Sequence, residues 1–283
     1  MMLKPNRGGI CPAVIMSLSA FTMAASADLL LYYDFEDGND AVIENQGSLA
    51  TAGSLNAVSG AAETLFGEGA PTGASPTSAL ILNGKLGDLI STNLSAEALS
   101  FFKPAASGVQ NDGRPSTYTA SAWARVDEAM TGDHMIFGQV NAAAGGTGFI
   151  HDGFRGNRAH LGHYANDTTA LSSIQTGQWV HVTYRVANGS RTIFVNGAKD
   201  NVPSAPGAGG LRNSSDIIIG ASDGGVNRGF VGALDDLMVF DEALADNQIA
   251  YLANGGDPTT LPAPGHTLYT AQTGPGGTWN LYQ

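Results

Sequence analysis

The fold is decided between Gln178 and Lys199, in the stretch QWVHVTYRVANGSRTIFVNGAK. Apolar and polar residues alternate from Val180 to Val186, which is the period of a strand with one buried face. Asn188-Gly189 tolerates positive φ at both central positions of a type I′ turn, and a second strand, Arg191 to Val195, follows it. Asn196-Gly197 then closes the far end and sends the chain back again. The stretch predicts a β-meander.

Further strands are expected on both sides of this hairpin, separated by turns in a chain that has 38 glycines. They are residues 29–35, 78–82, 118–126, 135–140, 147–151, 158–164, 216–220 and 229–240. About a dozen strands at this spacing predict two packed antiparallel sheets, an all-β sandwich. A short helix is expected near the C-terminus at 246–253, where Asp246 begins it and Gly255 ends it. Residues 91–114 fit either a short helix or an irregular insertion.

The hairpin and four further stretches resemble the LamG-like jelly rolls, which are relatives of the concanavalin A-like lectins and glucanases. The four are LYYDFEDG (31–38), SALILNG (78–84), STYTASAWARV (116–126) and GFVGALDDLMVFDEAL (229–244), and they occur in the order that the family shows. The resemblance covers most of residues 29–254. It implies a two-sheet antiparallel jelly-roll sandwich that occupies residues 28–257 as one domain.

The first 27 residues have the order of a signal peptide. Lys4 and Arg7 form a basic start, residues 10–23 are mostly apolar, and Ala25-Ser26-Ala27 offers a cleavage site. The alternative is a membrane anchor, for which the apolar run is short and interrupted by serine. We therefore expect an exported protein that begins at Asp28, is secreted or lies in the periplasm or on the cell surface, and is bacterial, with no membrane span after cleavage.

Composition narrows the function classes. The only cysteine, Cys11, lies in the segment removed, so the mature chain has no disulfide and no thiolate nucleophile. Cleavage also removes Lys4 and Arg7 without an acid, so the net charge moves from −12 to about −14. Such a chain repels phosphate backbones, and nucleic acid is not an expected partner. Residues 258–283 have the Pro/Gly-rich composition of a linker or tail. The strand-like pattern at its end, residues 278–282, either adds to the edge of the sandwich or leads into a further domain.

Catalytic patterns are not recognised. The related glucanases carry Glu-x-Asp-x-x-Glu on one strand, and this sequence has no such motif. The acids near 235 and 241 bracket an apolar strand and are not expected to share a face. His151, His160 and His163 lie close together beside Asp152, but His160 and His163 should point to opposite faces of a strand. We interpret them as polar residues at strand ends, and the chain as a non-enzyme.

The resemblance implies a structural Ca²⁺ site. In this family the aspartate before the last long strand, here Asp235, commonly helps to bind the ion together with residues after the first strand, here Glu36. The loop that contains Asn45 is the expected source of further oxygen ligands, since calcium takes six to eight of them. The alternative is two acids solvated at a surface edge.

A ligand surface is expected where aromatic rings accompany planar hydrogen-bonding groups. The residues with that chemistry lie in two glycine-rich segments and are Phe154, Arg155, His160, Tyr164, Asn227 and Arg228. The alternative for each of them is an ordinary exposed loop residue. The interpretation is an exported, non-catalytic recognition or adhesion module that binds carbohydrate or an extracellular protein. The alternatives are the binding part of a carbohydrate-active enzyme and a structural spacer of a cell-surface protein, because fold implies function only loosely.

Overall fold

The structure is a computed structural model that describes residues 27–36, 42–57, 66–74, 78–84, 89–95, 117–129, 131–139, 150–163, 167–201, 216–221 and 229–265. Within these ranges the chain forms two eight-stranded antiparallel sheets and one short α-helix. This confirms the predicted all-β sandwich. Within the same ranges, none of the helical residues forms a segment with the length and apolar character needed to cross a membrane.

The first sheet contains the predicted hairpin. Its members are β1 (Leu29–Tyr33), β4 (Phe66–Glu68), β5 (Ser78–Asn83), β7 (Tyr118–Val126), β12 (Trp179–Ala187), β13 (Ser190–Val195), β14 (Ala198–Lys199) and β16 (Val231–Phe240). They lie in the order β14-β13-β12-β7-β16-β5-β4. Strand β16 has two partners on one edge, because β5 pairs with its first half and β1 with its second half.

The second sheet packs against the first. Its members are β2 (Val42–Ile43), β3 (Leu55–Ala57), β6 (Leu89–Ser95), β8 (Asp133–Gln139), β9 (His151–Arg155), β10 (Arg158–Leu161), β11 (Thr168–Thr169) and β15 (Asp216–Ile219). Their order is β11-β10-β9-β8-β15-β6-β3-β2. Two short 3₁₀ turns, Ala50–Gly53 and Pro258–Thr260, complete the regular structure within the described ranges.

The two asparagine-glycine turns have the predicted geometry. Asn188 and Gly189 have φ of 49° and 81°, and Asn196 and Gly197 have 49° and 77°. Both residues of each pair are therefore left-handed, as a type I′ turn requires. The register that follows pairs Ala187 with Ser190. The hairpin prediction is confirmed.

One hydrophobic core fills the space between the sheets. Its largest buried side chains include Tyr33, Phe137, Phe154, Tyr184 and Phe230. Each large apolar side chain of this kind contributes about 1.5–3 kcal/mol when it leaves water. The alternating alanines of β7 are also buried here, and their small size lets the opposing sheet approach closely.

A second cluster covers the outer face of the first sheet. It joins Tyr32, Phe194, Met238, Phe240, Leu244, Ile249 and Leu252. The last two belong to the helix α1 (Asp246–Leu252), whose position confirms the predicted helix. Gly255, at φ 76°, ends this segment, and its N–H donates to the carbonyl of Leu252. Strands β7 and β16 are therefore buried on both faces.

Two expectations differ from the structure, and two others fall outside the residues that it describes. His151 begins strand β9 and does not end the strand predicted at 147–151, and residues 141–149 lie outside the described residues. Residues 91–95, expected to be helical or irregular, belong to strand β6 because they pair with β15 and β3. The predicted signal peptide, apart from Ala27, and residues 266–283 lie outside the described residues.

Candidate functional site

Strand β16 carries two adjacent aspartates at a break in its pairing. Along β16, the pairing with β5 ends at Leu234, and the pairing with β1 begins at Leu237. The register with β7 also shifts between Asp235 and Met238. Asp236 has φ of 46°, which turns consecutive carboxylates toward the gap between β5 and β1. The bulge therefore places two acids where neighbouring segments can reach them.

Asp235 is fully buried and hydrogen-bonded to backbone. One carboxylate oxygen accepts from the N–H of Ala70 at 2.7 Å and the other from the N–H of Asp236 at 2.8 Å. Burial raises the pKa of Asp235 to about 8, because the charged form loses its water. The hydrogen bonds lower this pKa, whereas the negative charges of Asp236 and Glu36 raise it further.

Two more carboxylates share this region. The oxygens of Asp236 accept from the Tyr32 hydroxyl at 2.9 Å and from the N–H of Ala74. A carboxylate oxygen of Glu36 accepts from the N–H of Ser78 at 2.9 Å. The three acids thus tie the end of β1, the bulge of β16 and the chain between β4 and β5 together. We name Glu36, Asp235 and Asp236 the acid cluster.

The structure places the expected calcium ligands Glu36, Asp235 and Asn45 in different settings. Glu36 and Asp235 come close enough for their charges to interact, although about two hundred residues separate them along the chain. Asp235 is buried, so the alternative of two acids solvated at an edge is wrong for it. Asn45 is used differently, because its side-chain oxygen accepts from the N–H groups of Tyr32 and Gly47 and fixes the loop to β1.

Asp236 is the member of the acid cluster that was not predicted as a ligand from the sequence. A pair of aspartates inside an otherwise apolar strand was the available signal, since β16 is apolar on both sides of them. The donor set is three carboxylates, which are hard oxygen ligands suited to calcium. Burial is the main cause of the raised pKa of Asp235, and the negative charges of Asp236 and Glu36 add to it.

A groove lies at one end of the first sheet, where β12 begins. Its volume is about 360 Å³, and its lining includes Gln175, Gln178, Trp179, Asn196 and Lys199. The guanidinium carbon of Arg125 lies 5.3 Å from the centroid of the Trp179 ring and orients the indole. Trp179 is half-buried, whereas the amide side chains around it are exposed. The groove therefore combines one aromatic ring with several planar hydrogen-bonding groups.

Arg155 and His160 lie in a second polar group, on the outer face of the second sheet. Nε2 of His151 is 3.4 Å from one carboxylate oxygen of Asp167, and Nε2 of His160 is 3.6 Å from the other. Arg155 donates to Asp167 at 3.1 Å and to Asp133 at 2.6 Å. We name His151, His160 and Asp167 the histidine cluster.

Charges within this group follow from burial and pairing. Burial lowers the pKa of His160 to about 4, and the nearby positive charge of Arg155 lowers it further, so this ring is neutral at pH 7. Burial raises the pKa of Asp167, but hydrogen bonds and charges from His151 and Arg155 outweigh it and hold this pKa well below its usual range.

Of the other expected ligand residues, Phe154 is the one that lies within the described part of the chain. Phe154 is a core residue with no exposed area, and its ring stacks on Phe230 at a centroid distance of 5.9 Å. Its aromatic face is thus unavailable to a ligand, which corrects the expectation for this residue. Tyr164, Asn227 and Arg228 lie outside the described residues.

His163 belongs to a buried polar network with Tyr118 and Asp152, apart from the histidine cluster. The Tyr118 hydroxyl donates to Asp152 and also contacts Nε2 of His163, both at 2.9 Å. Burial raises the pKa of Asp152 to about 7. This network lies between the sheets, whereas His160 lies on the outer face, so the expectation of opposite faces for His160 and His163 is confirmed. Asp152 has no exposed surface, which makes its hydrogen bonds structural.

Comparisons with known proteins match this architecture. A family model described as the concanavalin A-like lectin/glucanases superfamily matches residues 104–250, just over half the chain. Domain 4 of AbnA, an extracellular GH43 arabinanase from Geobacillus stearothermophilus solved with arabinotriose, is similar at 20% identity and a TM-score of 0.51. That alignment covers 80% of this chain and 98% of the domain. A search of the curated proteins found no match.

Two further structures align over the same share of the chain. The binding domain of Paraclostridial Mosquitocidal Protein 1 is 16% identical with a TM-score of 0.51, and 52% of it is covered. A sialidase from Trypanosoma rangeli is 13% identical with a TM-score of 0.54, and 32% of it is covered. The chain thus spans about half and a third of these two proteins. At these identities the likeness shows a shared fold.

Proposed function

Because the chain belongs to the concanavalin A-like lectin/glucanase superfamily, we propose that it is an exported, non-catalytic recognition module that binds a glycan in the groove beside Trp179. The observation that carries this proposal is the composition of the groove. An indole edge and face offer apolar contact to the C–H surface of a sugar ring. The amides of Gln175 and Gln178 offer paired donors and acceptors for hydroxyl groups. Asn196 offers its NH2 group, because its side-chain oxygen accepts from the N–H of His181 at 3.0 Å.

The framework around the groove supports a preformed site. Val180 and Val195 line its floor from two paired strands, β12 and β13. Asp200 accepts hydrogen bonds from the N–H and hydroxyl of Ser172 at 3.0 and 2.9 Å, which joins the rim to β14. A rim fixed in this way loses little entropy on binding, so weak sugar contacts suffice for recognition.

The absence of catalysis is part of the proposal. Glycosidases place two carboxyl groups on opposite sides of the scissile bond, where a substrate can reach both. The two aspartates whose pKa is raised to about 7 and about 8, Asp152 and Asp235, belong to different sheets and have no exposed surface. Burial on this scale supports structural roles for both acids.

We also propose that the acid cluster binds a structural Ca²⁺ ion. Glu36, Asp235 and Asp236 would hold it, and the ion would neutralise charges that otherwise repel each other. Bound calcium would fasten the end of β1 and the chain before β5 to the bulge of β16. The order of basic, apolar and small residues before Asp28 supports export. The lack of cysteine in the mature chain supports a bacterial protein that is secreted or lies in the periplasm or on the cell surface.

A second candidate is the binding part of a larger carbohydrate-active enzyme. The similarity to domain 4 of the arabinanase favours it, because that domain belongs to an enzyme and was solved with arabinotriose. The groove would then serve to hold the polymer while a separate domain cleaves it.

A glycan array tests the proposal. The mature protein from Asp28 onward should retain a restricted set of oligosaccharides, and Trp179→Ala should lose that signal. Gln139→Ala, on the second sheet, is the matched control and should bind as the wild type does. A wild type that binds no glycan, or a Trp179→Ala variant that binds the same set equally, contradicts the proposal. Capture of extracellular proteins in place of glycans would favour the protein-binding alternative.

A further inference from the structure

The pairing of strands β9 and β10 brings the members of the histidine cluster together, although they are seven or more residues apart in the sequence. In the β9–β10 hairpin, His160 lies opposite Gly153, and the N–H of His151 donates to the carbonyl of Gly162 at 2.9 Å. Positions 151, 153 and 155 of β9 share a face, so His151 and His160 project from the same side. Their ring centroids are 5.4 Å apart. Asp167, directly before β11, completes the group from a third segment.

His160 is the unusual member because its ring is fully buried and only partly satisfied. Nδ1 contacts the hydroxyl of Thr169 at 3.3 Å, whereas Nε2 has no hydrogen-bond partner within the described part of the chain. Buried polar atoms are nearly always hydrogen-bonded, so an exception of this kind requires an explanation. The unpartnered nitrogen faces the Asp167 carboxylate at 3.6 Å, which is too long for a hydrogen bond.

We propose that His151, His160 and Asp167 bind a divalent transition-metal ion of the Zn²⁺ class through the two Nε2 atoms and one carboxylate oxygen. In a tetrahedral zinc site with bonds near 2.0–2.1 Å, neighbouring ligand atoms are about 3.3 Å apart. Nε2 of His151 lies 3.4 Å from one carboxylate oxygen of Asp167, and Nε2 of His160 lies 3.6 Å from the other oxygen, so each contact is close to this separation. All three ligand atoms lie within 4.8 Å of one another, so small side-chain rotations bring them onto one ion.

The donor set selects the class of ion. Two imidazole nitrogens and a carboxylate suit zinc, copper and nickel, whereas calcium and magnesium require oxygen ligands. The contact between His160 Nδ1 and Thr169 provides the outer-shell partner that metal-bound histidines almost always have. Three protein ligands leave a fourth position for water or for a donor group of a binding partner.

Arg155 hydrogen-bonds to the Asp167 carboxylate and would compete with a metal ion for it, but Arg155 has other partners. Its guanidinium donates to Asp167, but it also forms a two-bond fork with Asp133 at 2.6 and 3.1 Å. The side chain is 42% exposed. When a metal ion takes the Asp167 carboxylate, Arg155 therefore keeps Asp133 and solvent as partners.

Isothermal titration of the metal-stripped full chain with ZnCl₂ tests the site. We expect one strong site per chain. His151→Gln, His160→Gln and Asp167→Asn keep the side-chain volumes and should each weaken that site at least about tenfold, because loss of an outer-shell partner alone costs about 10–100-fold. Circular dichroism and melting of each variant establish that it folds.

The matched control is His134→Gln, on the same sheet. His134 lies opposite Phe154, whose ring is in the core, so it projects from the other face and should not affect zinc binding. Co²⁺ bound to the wild type should give the visible absorption of a four-coordinate ion, and His160→Gln should lose it. The proposal is overturned if wild type binds no Zn²⁺ at one equivalent, if the cluster variants bind as tightly as wild type, or if His134→Gln loses the site.

Discussion

At the residue scale, the behaviour of Asp235 follows from a conflict between burial and charge. The carboxylate has no exposed surface, and two further carboxylates lie close to it. A buried carboxylate is neutralised either by a proton or by a cation. The pKa of about 8 therefore describes Asp235 without a cation, and in our proposal a calcium ion takes the place of the proton.

The first prediction concerns pH in chelator. An acid whose pKa is raised on folding, from 3.8 to about 8, binds a proton in the folded state that the unfolded state releases. The acid therefore adds its full contribution to the free energy of unfolding at low pH. This contribution is lost as pH rises toward 8, by at most about 1.4 kcal/mol per pH unit. Urea unfolding between pH 5 and 8 should show wild type losing stability faster than Asp235→Asn. Equal slopes would contradict the raised pKa.

The second prediction concerns calcium itself. An ion that binds only the folded chain adds about 2.7 kcal/mol at a hundredfold excess over Kd. Wild type should melt higher in calcium than in chelator, whereas Asp235→Asn should melt low and respond little. Asp152→Asn is the control, because it removes another buried acid that lies outside the acid cluster and should leave the calcium response intact. If the melting temperature of the wild type is the same in calcium and in chelator, the calcium site is refuted.

At the element scale, local sequence predicted strands where their side chains alternate. Strand β7 was predicted at its observed bounds, and the hairpin β12–β13 followed from Asn188-Gly189. Strand β9 was misplaced because its residues, His151 to Arg155, do not alternate apolar with polar. The acid cluster was predicted in part: Glu36 and Asp235 follow from the sequence, whereas Asp236 joins them through a β-bulge that local sequence does not reveal. The histidine cluster needs Asp167, whose approach depends on tertiary structure alone.

The third prediction compares two glycines that have positive φ. An alanine at Gly156, φ 58°, would meet no atom within 4 Å, so Gly156→Ala should cost about 1–2 kcal/mol from backbone strain alone. A Cβ at Gly197, φ 77°, would lie 3.1 Å from the Cα of Ala250 and the Cβ of Ala253 in and after α1. Gly197→Ala should therefore cost more, by about 1 kcal/mol or above. Urea unfolding measures the loss of stability in both variants. Equal losses would contradict the prediction, because they would show that α1 moves away from the added methyl group without cost.

At the scale of the whole molecule, the residues that stabilise the fold differ from those proposed to bind a ligand. The core between the sheets and the cluster under α1 bury most of the apolar side chains, and the acid cluster ties the break in β16. The groove beside Trp179 lies at the end of the first sheet and borders the core through Val180. Its exposed side chains, Gln175, Gln178 and Asn196, lie outside the core and can contact a ligand without loss of the fold.

The fourth prediction tests the central claim, that the chain recognises a glycan in this groove. The protein has three tryptophans, so a ¹⁵N-labelled sample gives three indole N–H signals. With the best oligosaccharide from the array, the Trp179 signal should shift and saturate, while that of Trp123, which is 6% exposed, should stay in place. Trp179→Ala assigns the signal. A saturating glycan that leaves Trp179 unchanged, or that moves Trp123 equally, would contradict the account.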